Sequence, residues 1–325
     1  MLAPDALGPT LCIGEIIVEI VATTTGDGFR HPQPLLGPFP SGAPAIFISQ
    51  CGRLGGQSAM IGAVGADDFG ALNLARLQSD GVDVSAVALD PEWPTGSAFV
   101  RYRADGSREF VFNINHSAAT RFGWSEPVAR LVARAGHLHV MGSALSMPPA
   151  REVIVRAAAM IKERGGTLSL DPNLRKELSG GPEIAELFQC LVGLCDLLLP
   201  SGAELFPAAG LDAPDTTEAQ AIAHLLQRGV TEIVLKRGPN GASLFTPDSV
   251  IRAAPFQVDE VDPTGAGDCF GAAYVTCRRL GMGAEAALTY ACAAGARNVT
   301  AVGPMEGAGT LAELDDFIRT TARRI

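Results

Sequence analysis

Apolar and polar positions follow a regular alternation from residue 137 onward. Short apolar runs typical of buried strands are separated by segments with the spacing of amphipathic helices. Strands separated by helices of about a dozen residues form parallel β-α-β units with right-handed crossovers. This part of the chain predicts an α/β fold on a doubly wound, mostly parallel sheet flanked by helices. The predicted strands are 137–141, 168–170, 196–199 and 232–235, and the predicted helices are 149–163, 183–190 and 217–227.

The first part of the chain departs from this alternation. Residues 11–21 form a β-branched run that favours a strand, although Glu15 and Glu19 interrupt it. An Asp-Gly pair separates two runs rich in aromatic and β-branched residues, 97–103 and 108–113, which is typical of a β-hairpin. Helical spacing lies between these pieces, over 45–54 and 71–80.

These early strands fit poorly into a parallel sheet. We therefore expect a small antiparallel β lid drawn from residues 15–40 and 95–117. The main domain, which would bind nucleotide and substrate, would comprise residues 1–14, 41–94 and 118–325. Because a lid sheet has open edges, a homodimer formed through the lid is a further expectation.

Composition narrows the possible partners. Hydrophobic residues make up 47% and charged residues 18%, which is globular composition, and the net charge of −10 disfavours nucleic acid. The longest stretch without a charge, 31–52, is interrupted by prolines and predicts no membrane span. No basic leader precedes the first strand, and the seven cysteines are scattered singly. We therefore expect a cytoplasmic protein with buried, reduced thiols and no membrane or nucleic-acid partner.

The most informative segment is 258–273, VDEVDPTGAGDCFGAA. Pro263 and Gly265 build a turn that leads into an apolar helix beginning near Asp268. Small residues let the backbone approach a ligand, and the unpaired N–H groups of a helix start form an anion site. A site made only to hold phosphate would avoid a carboxylate, whereas one that deprotonates an alcohol beside a phosphoryl group needs it. The segment therefore predicts phosphoryl transfer to a hydroxyl.

This segment resembles the C-terminal signature of the ribokinase-like (PfkB) carbohydrate kinases, Asp-Thr-Thr-Gly-Ala-Gly-Asp, from which only Pro263 departs. The resemblance implies that Asp262 contacts the sugar and that K⁺ could bind near it. It implies a catalytic group formed by the base Asp268 and the phosphoryl-binding backbone of Gly265, Ala266 and Gly267.

Matches to the same family continue along nearly the whole chain. Residues 41–55 resemble the N-terminal signature, with Ser41 in place of a glycine and Ile46 in place of an asparagine that usually touches sugar hydroxyls. Ile46 therefore suggests a modified hydroxyl pattern in the substrate. Residues 64–70 resemble the family's G-x-D-x-x-G segment, which we interpret as a structural turn capped by Asp.

Other matches imply contacts to sugar, nucleotide and metal. Asn113 and His116 follow the second hairpin strand, where they either reach the sugar or lie in solvent. Glu204 is retained from a Pro-Asn-x-x-Glu turn that organises Mg²⁺ through water, while Ser201 replaces its Asn. The implied substrate-binding residues are Glu19, Gly42, Asn113, Arg175 and Asp262, and the implied nucleotide-binding residues are Asn173, Lys236, Gly238, Gly241 and Asn298.

Arg175 belongs to a segment, 171–175, best represented in kinases of 2-keto-3-deoxy sugar acids and ketohexoses. Its guanidinium is suited to clamp a phosphate or a substrate carboxylate, and a surface position is the alternative. The amides of the lid segment 111–116 suit hydroxyls better than a carboxylate. The predicted substrate is therefore a neutral ketohexose of the fructose or tagatose type, with 2-keto-3-deoxygluconate as the alternative.

The predicted activity is transfer of the γ-phosphoryl group of ATP to a primary hydroxyl of this sugar, with ATP and Mg²⁺ as cofactors. A non-catalytic carbohydrate sensor is an alternative raised by Ile46 and Ser201, but the intact Asp268 argues against it. A dehydrogenase is disfavoured because its glycine fingerprint would open the domain rather than lie near the C-terminus. No lysine lies in a G-K-[ST] context, which excludes a Walker-type enzyme.

Overall fold

The computed structural model describes residues 1–26, 28–103, 108–173, 181–211 and 215–323. In chain order its strands are β1 (Thr10–Ile13), β2 (Ile17–Ala22), β3 (Leu35–Ser41), β4 (Ser58–Gly65), β5 (Val82–Asp90), β6 (Gly96–Tyr102), β7 (Arg108–Asn113), β8 (His137–Met141), β9 (Thr167–Asp171), β10 (Leu197–Leu198), β11 (Glu232–Lys236), β12 (Ala242–Phe245) and β13 (Val250–Ala253). Its helices are α1 (Ala43–Arg53), α2 (Asp68–Ser79), α3 (Glu126–Arg134), α4 (Pro148–Glu163), α5 (Pro182–Leu194), α6 (Leu205–Ala209), α7 (Glu218–Gln227), α8 (Ala266–Arg279), α9 (Ala284–Asn298) and α10 (Leu311–Thr320).

The larger sheet has the strand order β13-β12-β11-β10-β9-β8-β1-β4-β5. Every pairing from β11 to β5 is parallel, and the β11-β12-β13 edge is antiparallel. One hydrophobic cluster packs α3, α4, α5 and α7 on one face, and a second packs α1, α8, α9 and α10 on the other. The prediction of a doubly wound, mostly parallel sheet flanked by helices is confirmed.

The smaller sheet has the order β3-β2-β6-β7. Its β6-β7 pairing is the predicted hairpin, in which Tyr102 lies opposite Arg108, although the turn itself lies outside the described residues. The β2-β3 pairing is also antiparallel, whereas β2 and β6 pair in parallel. The central pairing is parallel because β2 follows β1 and β6 follows β5, so both leave the same end of the main parallel sheet.

The predicted turn at 64–70 is a helix cap. Asp67 is the N-cap of α2 and accepts hydrogen bonds from the backbone of Gly70 and from both backbone and hydroxyl of Thr95. Burial alone would raise the pKa of Asp67, but these hydrogen bonds lower it below its ordinary value. The interpretation of this turn as structural is confirmed.

Six cysteines are buried, as expected, but Cys190 on α5 is exposed. Burial raises the pKa of Cys51 and of Cys195 to about 12, so both are held as thiols. Within the described ranges, no helix has the length and apolar character needed to cross a membrane.

Candidate active site

The site is built around the start of α8, where the chain turns sharply. Gly265 is the N-cap with a φ of 79°, and a Cβ on it would lie 2.2 Å from the carbonyl oxygen of Pro304. Only glycine fits this position, because the left-handed conformation and the close backbone both exclude a side chain. The first-turn N–H groups that follow have no acceptor within the helix and form a candidate anion-binding site.

Gly267 lies in a different environment, two residues further along. A Cβ built on it would meet only the Nζ atom of Lys236, at 3.6 Å. The space beside the Gly267 backbone is therefore bordered by an ammonium group rather than by packed protein. This is the setting expected for a backbone that approaches an anionic group closely.

Asp268 lies in the first turn of α8 and is buried. The side-chain amide of Asn173 donates to its Oδ1 atom at 3.3 Å. Asn173 has a φ of 39° and donates its backbone N–H to Asp171 at 3.2 Å, which turns the chain after β9 toward α8. The expected nucleotide-binding Asn173 thus contacts the predicted base, and a contact with nucleotide stays a prediction.

The buried ammonium of Lys236 lies at the end of β11 and contacts the carboxylate of Asp171 at the end of β9, with 2.5 Å between Nζ and Oδ2. Burial alone would lower the pKa of Lys236, but the carboxylates of Asp171, Glu204 and Asp268 raise it above its ordinary value. Lys236 therefore carries a positive charge at the edge of the sheet where α8 begins.

Asp262, an expected sugar contact, accepts three hydrogen bonds inside the protein. Its Oδ1 accepts hydrogen bonds from the Tyr102 hydroxyl at 2.7 Å and the Thr264 N–H at 2.9 Å, and its Oδ2 accepts one from the Gly303 N–H at 3.0 Å. The side chain is buried, and these donors occupy both oxygens. Asp262 joins the loop before α8 to β6 and to the segment after α9, and its expected contact with the sugar stays a prediction.

Thr264 is held in the same loop from two sides. The guanidinium of Arg108 on β7 donates to its hydroxyl at 3.0 Å, and the side-chain amide of Asn298 donates to its carbonyl oxygen at 2.8 Å. Asn298 is fully buried, so in this structure it supports the loop and presents no surface to a nucleotide. The small sheet therefore contacts the anion-binding loop directly.

A cavity of about 20 Å³ lies between the small sheet, the start of α1 and the loop before α8. Glu15 and Glu19 are both buried in its wall, where they accept hydrogen bonds from Ser143 at 2.8 Å and Ser41 at 3.3 Å. Its lining residues are Glu15, Ile17, Glu19, Ser41, Gly42, Ala43, Ile46, Ala98, Phe112, Ile114 and Thr264. The predicted sugar contacts Glu19 and Gly42 thus meet in one cavity beside the anion-binding loop.

Two other residues expected near the sugar do not line this cavity. Asn113 is exposed and lines two neighbouring cavities, because side chains alternate along a strand and Phe112 and Ile114 take the inward positions. His116 stacks on Trp93 outside the sugar cavity. Arg175 lies outside the described residues.

The remaining expected residues lie on the turns after β10 and β11. The carboxylate of Glu204 accepts the Ser201 N–H at 2.8 Å in a capping box. Gly238 and Gly241 bound the short turn after β11, with φ values of 53° and 80°. A Cβ on Gly241 would lie 2.1 Å from the Ala253 carbonyl oxygen, so this glycine is needed by the fold itself.

Four residues of the site were not predicted: Glu15, Tyr102, Arg108 and Asp171. The separation of four residues between Glu15 and Glu19 could have indicated that both side chains face the same cavity, because positions four apart in an extended chain lie on one face. Asp171 stood in the quoted 171–175 segment, directly after a buried strand. Nothing local marks Tyr102 or Arg108, which act on residues about 160 positions away.

The fold and the site define a phosphotransferase that acts on a sugar hydroxyl. Residues 10–310 match the pfkB family carbohydrate kinase, and the chain belongs to this family. Fructokinase-1 of Oryza sativa subsp. japonica is 33% identical over 258 residues, 79% of each chain. Probable fructokinase-7 of Arabidopsis thaliana is 32% identical over 319 residues, 96% of this chain and 92% of its own.

Solved structures agree with this assignment. An E. coli protein described as "a putative Ribokinase II" is 42% identical, with a TM-score of 0.90 over 96% of this chain and 99% of its own. The fructokinase from Vibrio cholerae O395, bound to fructose, ADP and calcium ion, is 27% identical, with a TM-score of 0.81 over 96% of this chain and 99% of its own.

Proposed function

We propose that this protein is a fructokinase-type enzyme that transfers the γ-phosphoryl group of ATP to a primary hydroxyl of a neutral ketohexose such as fructose or tagatose. The observation that carries this proposal is the cavity in which the buried carboxylates of Glu15 and Glu19 stand beside Thr264 of the anion-binding loop. The fructokinases among its relatives support the same substrate class.

The cavity favours a neutral sugar over a keto-acid. Carboxylates accept hydrogen bonds from sugar hydroxyls, whereas they repel a carboxylate on the substrate. Apolar side chains such as Ile46 and Phe112 complete the wall and suit the carbon faces of a sugar. The alternative of 2-keto-3-deoxygluconate has no support among the relatives, and a non-catalytic sensor does not agree with membership in a kinase family.

Each residue then has a role in the proposed reaction. Asp268 accepts the proton of the sugar hydroxyl, and Asn173 orients its carboxylate. The backbone of Gly265, Ala266 and Gly267 binds the phosphoryl oxygens at the start of α8. The small sheet acts as a lid that excludes water, which would otherwise take the phosphoryl group.

The proposed reaction also requires a nucleotide and a metal ion. The E. coli relative has been solved with ATP and Mg²⁺, which supports the same pair here. Within the described residues no group of three or more His, Cys, Asp or Glu side chains could hold a metal, so Mg²⁺ would be carried by the ATP phosphates, with Glu204 acting through water. Bound Mg²⁺ would neutralise phosphate charge. Lys236, Gly238 and Gly241 stay predicted nucleotide contacts, and K⁺ near Asp262 stays a prediction.

A homodimer through the small sheet is also part of the proposal. On this sheet, the exposed fractions of Leu35, Leu36 and Val111 are 44%, 45% and 50%. Exposed apolar side chains on a sheet with open edges favour pairing with a second copy. We expect Val111→Lys to shift the molecular mass measured by light scattering from dimer to monomer, and a wild-type monomer would contradict the dimer.

The substrate is tested by measuring ADP release at identical Mg-ATP with fructose, tagatose and 2-keto-3-deoxygluconate. We expect the highest kcat/KM with one of the ketohexoses. A keto-acid turned over more than about tenfold better than every ketohexose, equal to about 1.4 kcal/mol of transition-state preference, would reverse the proposal.

A further inference from the structure

We infer that Lys236 contacts the phosphoryl group while it is transferred and that Asp171 is the residue that positions Lys236. This inference rests on the proposed phosphotransfer at the start of α8. It goes beyond the expectation that Lys236 belongs to a nucleotide-binding turn, since it assigns the ammonium to the transferred group and brings in Asp171.

The ion pair between Lys236 and Asp171 is buried. The side chains of Lys236 and Asp171 are 10% and 2% exposed, with 2.5 Å between Nζ and Oδ2. Taking two charges out of water costs free energy that their attraction offsets only partly, so a buried pair is weak evidence for a stabilising role. Such a pair at the edge of a sheet where strands end and a helix begins indicates a functional charge.

The ammonium of Lys236 lies beside the start of α8. The Lys236 backbone N–H donates to the Pro200 carbonyl at 2.9 Å, which fixes the end of β11 beside β10. From there the side chain reaches the start of α8, where Nζ lies 3.6 Å from the position of a Cβ on Gly267. A phosphoryl oxygen held by the backbone at Gly267 would occupy that space and lie within contact distance of Nζ.

The charged groups at this site have different roles in the proposed reaction. The carboxylates of Asp171, Glu204 and Asp268 raise the pKa of Lys236 and keep it protonated despite its burial. In the transfer, the sugar oxygen forms a bond to the γ-phosphorus, the bond from that phosphorus to the ADP oxygen breaks, and the hydroxyl proton goes to Asp268. Lys236 neither gains nor loses a proton and stabilises the charge on the phosphoryl oxygens.

The test is chemical rescue of the Lys236→Ala enzyme, measured with whichever sugar the wild type phosphorylates. We expect kcat to fall about 100-fold and to recover at least about tenfold, with saturation, when ethylammonium fills the vacated site. The control is Lys162→Ala, which breaks a more exposed lysine–aspartate pair: Lys162 on α4 lies 2.8 Å from Asp196. This variant should keep wild-type kcat. A folded Lys236→Ala enzyme with kcat within about threefold of wild type, or no rescue, overturns the inference.

The role of Asp171 is tested by two further variants. The double variant Lys236→Ala/Asp171→Asn should not be rescued, because the carboxylate that holds the added ammonium is gone. Asp171→Asn alone should lose kcat progressively as pH rises through a range where wild-type kcat is constant, because a buried lysine without its carboxylate deprotonates more readily. Rescue of the double variant, or an unchanged pH profile in Asp171→Asn, contradicts the positioning role.

A nucleotide-binding measurement made without sugar tests the role of Lys236 independently of the proposed substrate. Calorimetry should show wild type binding Mg-ATP more tightly than Mg-ADP, and Lys236→Met should lose at least about fivefold of that preference. An unchanged preference contradicts the inference, even when no tested sugar is phosphorylated. Failure of every ketohexose with wild type, together with loss of the ATP preference in Lys236→Met, contradicts only the proposed substrate.

Discussion

The hydroxyl of Tyr102 on β6 donates a hydrogen bond to the buried carboxylate of Asp262, with 2.7 Å between the oxygens. The same carboxylate accepts the N–H of Thr264, so the small sheet is joined through one side chain to the loop that begins α8. Burial and the neighbouring Asp262 raise the pKa of Tyr102, which keeps the phenol protonated and able to donate. The position of the small sheet is thereby linked to the geometry of the anion-binding loop.

We expect Tyr102→Phe to weaken closure of the small sheet over the site. A hydrogen bond to a charged group is worth about 1.5–3 kcal/mol, and its loss should raise the sugar KM about fivefold and increase sugar-independent ATP hydrolysis. Both rates are measured by ADP release with and without sugar. The control is Tyr290→Phe, which removes an exposed hydrogen bond to Asp315 and should change neither. A Tyr102→Phe enzyme with wild-type values would show that this contact does not support closure.

Asp268→Asn tests the proposed base. The amide keeps the size of the side chain at the start of α8 but does not accept the proton of the sugar hydroxyl, so kcat should fall by a factor of about 10² to 10⁴. Mg-ATP affinity, measured by calorimetry, should stay close to wild type, which separates loss of the base from loss of the fold. Near wild-type kcat would remove Asp268 from this role.

Substitutions at Gly265 and Gly267 should affect different properties: the first should lower stability and the second should lower activity. Gly265→Ala places a methyl group 2.2 Å from the Pro304 carbonyl at a φ of 79°, so it should lower the free energy of unfolding by more than about 1 kcal/mol. A Cβ on Gly267 meets only the flexible end of Lys236, so we expect Gly267→Val to stay folded but lose activity, because the side chain fills the phosphoryl site. Urea unfolding and kcat/KM are measured for both. Unchanged kcat/KM in a folded Gly267→Val would move the anion site elsewhere.

Two buried histidines should make the folded state less stable at acidic pH. His137 and His139 share hydrogen bonds to Ser169, and His139 stacks on Phe47 with 3.6 Å between ring centroids. Burial lowers the pKa of each well below the ordinary value of about 6.5, so the folded state binds fewer protons than the unfolded state. Their neutral forms cost no stability above about pH 6.5, and stability is lost as pH falls below that value.

The Tm measured between pH 7.5 and pH 5.5 should therefore fall more in wild type than in His139→Leu. The matched control is His31→Ala, which removes an exposed histidine and should keep the wild-type pH dependence. Equal losses of Tm in wild type and His139→Leu would show that His139 does not carry this sensitivity.

Local patterns in the sequence were sufficient for elements such as β8 and for the turn that begins α8. The run at 137–141 predicted β8 to the residue, since Leu138, Val140 and Met141 mark a buried strand by their own apolar side chains. The turn and carboxylate around Gly265 and Asp268 were equally readable, because an anion-binding helix start is made by consecutive residues.

Only the tertiary structure decided which distant groups meet. Asp171 and Lys236 are 65 residues apart, and they pair because the sheet order brings the ends of β9 and β11 to one edge, on either side of β10. The tertiary structure also decided which face of a strand is turned inward. Strand periodicity showed that Asn113 and Phe112 lie on opposite faces, but the packing of the small sheet on the cavity decided that Phe112 points inward. A motif carries its local geometry, whereas contacts between motifs depend on strand order and register, which no short segment encodes.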